Sequence, residues 1–158
     1  MLVSCTVQAW LRCRADAAFD LTFDAQRFPA LFRGFGLIQP IRAVSPRGAN
    51  LRRIEMRGGT SFDEWVTSAQ RPRHGPGWHA YVLHDLQAPL RWLLRGADAC
   101  WTFAPDGDGC RVSWRYAFAP RARWATPLAA ALLHAQMRPA MRRCLHAIEL
   151  ELAQRQNF

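Results

Sequence analysis

At 158 residues the chain has the length of one ordinary domain, and half of it is apolar, enough to bury a substantial core. The net charge of +9 raises the idea of a nucleic-acid or anionic-surface partner, but all 21 basic residues are arginines scattered without a run of five or more, so a nucleic-acid footprint is disfavoured. No window of roughly 18 apolar residues exists and no basic, apolar leader opens the chain, which argues against a membrane span or a secretory signal.

The complete absence of Lys fits the codon bias of a G+C-rich, bacterial genome. Cys5, Cys13, Cys100, Cys110 and Cys144 are odd in number and form no CxxC or Cys/His cluster of metal-ligand spacing. They read as free thiols of a reducing compartment, hence a cytoplasmic protein with no metal. No cofactor motif is present: there is no Walker sequence, GxGxxG or HExxH.

Val3 to Arg14 opens as a strand, with Val3, Cys5, Val7 and Ala9 on one face and Ser4, Thr6 and Gln8 on the other. Helical spacing follows. Phe19, Phe23, Leu31 and Phe32 are its anchors, and Asp24 and Pro29 divide it into two short helices, about 16–23 and 25–32, the first capped by Asp16. Phe35 to Val44 reads as a strand, and Ser45 to Asn50 as a turn. Leu51 to Arg57 is a strand with Arg53, Glu55 and Arg57 on one face. Gly58-Gly59 is a tight connection, Thr60 to Gln70 a strand, Arg71 to Gly77 a loop, and Trp78 to His84 the next strand.

Asp85 to Arg95 is irregular and apolar around Pro89. Ala97 to Phe103 and Cys110 to Phe118 form a hairpin. A loop at 106–109 sets Phe103 opposite Val112, Trp101 opposite Trp114, Ala99 opposite Tyr116 and Ala97 opposite Phe118. Thr126 as N-cap and Pro127 at the first helical position start an amphipathic helix of about seven turns, with a kink expected at Pro139. Strand, helices, about six strands and a long helix make an α+β chain. Short turns force antiparallel pairing, and only the last helix is long enough to cover one face of the sheet.

Two stretches resemble a known superfamily. Ala17-Ala18-Phe19-Asp20-Leu21 with Asp24 and Phe28-Pro29 is similar to a helix pair, and Trp101 to Trp114 (WTFAPDGDGCRVSW) to a hairpin, of the START-like helix-grip (SRPBCC) superfamily. The similarity is greatest to its polyketide cyclase/dehydrase and lipid-transport branch, and the terminal helix sits where that family's does. The resemblance implies a curved antiparallel sheet of about 6–7 strands wrapped around the long C-terminal helix, with two short helices after strand 1 and an internal apolar cavity. Facing that cavity would be Phe32, Phe35, Glu64, Tyr81, Leu83, Trp101, Trp114 and Tyr116, with Leu133, Met137 and Met141 from the helix and Trp92 from a lid. It implies no cofactor and carries over no catalytic residue.

The expected activity is binding of a small hydrophobic molecule such as a lipid, quinone or aromatic polyketide, for transport or sequestration. An enzyme of the cyclase/dehydratase type is the first alternative, and an Arg-rich nucleic-acid or anionic-surface binder the second. Residues 86–94 are a lid, an ordinary edge strand or a homodimer surface. Of the five histidines, His84 and His134 are the better candidates for acid–base work. Asp63 and Glu64 point to opposite faces of their strand. The inward one needs a partner, for which Arg53, Arg57 and Arg115 are candidates.

Overall fold

The computed structural model describes residues 1–157. Seven strands form one antiparallel sheet: β1 (Val3–Leu11), β2 (Ile41–Pro46), β3 (Leu51–Met56), β4 (Ser61–Gln70), β5 (Gly77–His84), β6 (Leu94–Asp106) and β7 (Gly109–Pro120). Their order in the sheet is β1-β7-β6-β5-β4-β3-β2. Between β1 and β2 lie two short helices, α1 (Ala15–Phe23) and α2 (Phe28–Leu31); α3 (Leu90–Leu93) precedes β6. The C-terminal helix comprises α4 (Thr126–Leu132), a π turn (Leu133–Met137) and α5 (Arg138–Gln156).

Alternation decides which side of each strand is buried. In β5, His79, Tyr81 and Leu83 turn inward, and in β7 Val112, Trp114, Tyr116 and Phe118 do. The β6–β7 ladder has the expected register, with Trp101 opposite Trp114 and Ala99 opposite Tyr116. The Trp101 and Trp114 rings stack at 4.0 Å between centroids. The ladder runs on to Asp106 opposite Gly109, so the turn holds two residues rather than four, and Gly107 takes its left-handed position at φ 63°.

Several local expectations give way. Residues 35–40 are no strand. Phe35 and Ile38 exchange two backbone hydrogen bonds of 2.9 Å in a tight turn, and Gly34 and Gly36 flank Phe35 at φ 68° and 56°. Two left-handed glycines break the run that hydrophobicity alone reads as extended, and β2 begins only at Ile41. Asp16 and Thr126 are not caps: α1 starts after Arg14 and α4 after Ala125, so both residues lie inside the first turn. Near Pro139 the helix continues through the π turn, where the Arg138 N–H reaches Leu133 O. That wider turn accommodates a residue that has no N–H and crowds the carbonyl four positions back.

The C-terminal helix packs on β1 and β7, at one side of the sheet. Ala140, Met141, Cys144, Leu145 and Ile148 of α5 are fully buried there. The opposite strands, β2 to β5, do not pack on the helix. All five cysteines are free thiols, with Cys13 Sγ and Cys110 Sγ 3.7 Å apart.

Candidate functional site: an apolar cavity with a polar floor

Between α4 and the inner faces of β3 to β7 lies a cavity of about 800 Å³. That is within the ordinary range of small-molecule sites. Ile54, Met56, Phe62, Leu83, Ala97 and Phe118 form its walls from the sheet; Phe28 and Phe32 close one end; Leu128, Leu132 and Met137 face it from the helix. The cavity lies where α4, seated on β1 and β7, turns Leu128 and Leu132 toward the other strands of the sheet without reaching them. Leu128 is 56% exposed, whereas Leu133, on the helix face against β1, is completely buried.

Seven residues expected at a ligand site line this cavity: Phe32, Glu64, Tyr81, Leu83, Trp114, Tyr116 and Met137. Five lie elsewhere. Trp101 is behind Trp114 in the aromatic stack, and Leu133 and Met141 fill the interface between helix and sheet. Phe35 sits in the tight turn, and Trp92 is 61% exposed on α3. Helical spacing alone does not distinguish the residues a helix presses against a sheet from the adjacent ones that overhang a gap. Phe28, Ile54, Met56, Leu128 and Leu132 were missed because an apolar wall has the same composition as an apolar core. Ile38, Gln39, Gln87 and Gln136 at the rim carry no sequence signal of their own.

The polar floor was only partly expected. Glu64 is 7% exposed, and its partner is Arg52 rather than Arg53, Arg57 or Arg115. The β3–β4 register explains this: Arg52 lies directly opposite Glu64, and Arg53 opposite Asp63. Residues opposite one another share a face, so the inward pair is Arg52–Glu64. The outward pair is Arg53–Asp63 at 2.7 Å, with Asp85 also on Arg53. Arg52 lies over the Phe23 ring and donates to the Phe23 carbonyl at 3.3 Å. Burial pushes the Glu64 carboxyl above its usual range, and the Arg52 charge and hydrogen bond oppose that shift.

Around Glu64 stand Tyr81 and Tyr116. Burial raises both phenols. The Glu64 carboxylate adds to the rise, and at Tyr81 the indole N–H groups of Trp114 and Trp101 work against it. No hydrogen bond of ordinary geometry satisfies the Trp114 Nε1 donor, although the residue is only 2% exposed. Such a buried donor costs about 1–3 kcal/mol while it lacks an acceptor. His79 sits just behind the floor, among Phe19, Phe23, Tyr81, Trp101 and Phe103. Burial first, and the Arg52 charge second, lower its pKa to about 3, and its Nε2 lies 3.1 Å from Thr22 Oγ1. His84 and His134 are exposed and outside the cavity lining. Among the described residues no group of three or more His, Cys, Asp or Glu side chains is placed to hold a metal ion.

Two glutamines lace the rim. Gln136 Oε1 accepts the Leu37 N–H at 2.9 Å, and Gln87 Oε1 accepts the Ser61 N–H at 3.0 Å. A side chain at position 36 would strike Gln136, so Gly36 is what lets the 34–38 turn approach the helix.

A curved antiparallel sheet around a long C-terminal helix, with a large apolar cavity between them, is the START-like helix-grip architecture. The model of the polyketide cyclase/dehydrase and lipid transport family matches residues 11–153, and the chain belongs to that family. Similar solved structures include a START superfamily protein from Mycobacterium smegmatis (13% identity, TM-score 0.70, 97% of each chain covered). Another is the two-domain ARO/CYC protein StfQ of the steffimycin biosynthetic pathway (15% identity, TM-score 0.71, 100% of this chain and 53% of that one). A third is a point mutant of norcoclaurine synthase from Thalictrum bound to a transition-state analogue (11% identity, TM-score 0.71, 99% and 97% covered). At such identities the likeness speaks for the fold alone. No curated protein matches the chain. No helix among the described residues is long and apolar enough to cross a membrane.

Proposed function

We propose that the chain, as one cytoplasmic domain, binds a mainly apolar molecule of the lipid, quinone or aromatic polyketide type in this cavity. The observation that carries the reading is the contrast between apolar walls and a small polar floor. The walls would contribute through burial, at about 25 cal/mol per Å². The floor would orient an oxygen function of the ligand, which would accept from the orphaned Trp114 N–H and meet Tyr81 and Tyr116. Native mass spectrometry of the purified protein, followed by organic extraction, should recover a lipophilic species in near-stoichiometric amount. Ala131→Trp with Ala135→Trp, at exposed positions lining the mouth, should abolish its uptake without unfolding the chain. A bare mass, with no thermal shift from added fatty acids, quinones or polyphenols, would refute the reading.

A second reading, cyclization or dehydration of a polyketide-like substrate, rests on Glu64. Burial raises the pKa of its carboxyl, which stands beside Tyr81 and Tyr116 at the floor of the cavity, where a proton-transferring group could meet a substrate. Glu64→Gln should then retain ligand uptake and lose turnover of a linear poly-β-ketone to its cyclized, dehydrated product. Undiminished turnover in that variant rules this reading out.

A further inference from the structure

The mouth of the cavity carries a surface that ligand binding does not use. At one end of the sheet α3 adjoins the turn between β7 and α4: the Arg121 N–H bonds Leu93 O at 2.9 Å, Arg121 Nε bonds Arg91 O at 2.7 Å, and the Arg95 guanidinium bonds Arg121 O at 3.0 Å. These two adjoining turns present Trp92 and Trp124, 61% and 64% exposed, and Leu128 follows at 56%. Around them Arg91, Arg95, Arg121 and Arg123 are all exposed. The neighbouring acids are engaged elsewhere, Asp85 with Arg53 at 3.1 Å and Asp98 with Arg115 at 3.2 Å. α4 has no charged residue, and Glu149 and Glu151 lie at the far end of α5. Leu90, Leu93 and Leu128 also line the cavity, so apolar side chains lead from this rim into the interior.

The geometry points to this rim as a docking surface for an anionic lipid bilayer. Indole rings and leucines suit the boundary between acyl chains and headgroups, and guanidinium groups reach the lipid phosphates around them. A second copy of the chain is a poor occupant, because a two-fold contact here would set four arginines against the same four. An acidic protein would satisfy the arginines and could pack on the indoles, but a bilayer also sets acyl chains against the apolar mouth that Leu90, Leu93 and Leu128 share with this rim.

The test is cosedimentation of the full chain with vesicles of phosphatidylcholine alone and of phosphatidylcholine with about one quarter phosphatidylglycerol. Binding is expected to the anionic vesicles and to weaken with added salt. Arg91→Gln with Arg123→Gln should weaken it about 30-fold, at roughly fivefold per arginine. Trp92→Gln with Trp124→Gln should weaken it on the order of tenfold. None of these four side chains lines the cavity, so ligand uptake should be unchanged in both variants. That separates failure of this proposal from failure of the binding function. Absence of binding to anionic vesicles at low salt would overturn the proposal, as would binding that neither variant weakens. So would a stable dimer that the tryptophan variant converts to monomer. Equal binding of wild type and the tryptophan variant to polyglutamate, with no vesicle binding, would overturn it in favour of an acidic protein partner.

Discussion

The two halves of the C-terminal helix use similar residues to opposite ends. α5 presses Met141, Cys144, Leu145 and Ile148 onto the sheet until no space remains, and Cys5 Sγ comes within 3.8 Å of Met141 Sδ. α4 offers Leu128 and Leu132 to the same sheet and leaves about 800 Å³ between them and it. The difference lies in what surrounds each half: α5 rests on β1 and is backed by α1 and α2, whereas Leu128 and Leu132 of α4 look across the gap to the far strands of the sheet. Apolar residues close a core only where the backbone brings them within contact distance, and here the backbone does so along one side of the sheet.

The largest expected effect comes from the polar floor. Arg52→Met should cost about 3–5 kcal/mol in urea unfolding, because it leaves Glu64 buried without its partner. Arg52→Met with Glu64→Leu should recover most of that loss; if it does not, the pair contributes more than mutual neutralisation. Next, Phe103→Ala, in the fully packed region, should cost about 3–5 kcal/mol by leaving a hole the surroundings cannot fill.

His79 supplies a pH test of similar size. Its folded pKa of about 3 lies below the unfolded value of 6.5. Between those values the unfolded chain binds a proton that the folded one does not, so stability falls as pH drops below 6.5. From pH 7 to 4.5 this group should account for about 2–3 kcal/mol of lost stability, at about 1.4 kcal/mol per unit. His79→Asn should flatten that part of the profile, measured by urea unfolding at both pH values. Glu64 acts in the opposite sense: its raised pKa makes stability fall as pH rises from the ordinary carboxyl value through the folded one. The wild-type profile is therefore shallower than His79 alone would make it, and Glu64→Gln should steepen it.

The smallest effect sharpens the contrast most. Leu128→Ala, in the overhanging half, should change stability by less than about 0.5 kcal/mol, since the side chain is already half in water beside empty space. A cost approaching that of Phe103→Ala would mean that the cavity collapses in solution and that both halves are core.

Much of the sheet was legible in the chain. Alternation marks β1, and the small loop after Phe103 fixes the Trp101–Trp114 register whether it has two residues or four, because the strand ends stay opposite one another. The turn at 34–38 was misread because two glycines outweigh a run of apolar neighbours. The partner of Glu64 was misread although Arg53 and Glu55 were placed on one face correctly; Arg57 lies beyond the end of β3. That assignment already puts Arg52 on the other face, but which inward arginine meets Glu64 depends on how β3 aligns with β4.

Local pattern and turn chemistry thus determined the elements, their antiparallel pairing and most inward faces, since these depend on residues near one another in sequence. Whether the apolar faces meet or stand apart depends on the curvature of β2 to β5 and on which strands lie under the helix. So do the burial of Glu64 among two phenols and an unpaired indole N–H, and the joining of Trp92 and Trp124 at one rim. Those are properties of distances between residues far apart in the chain, and only the tertiary structure decides them.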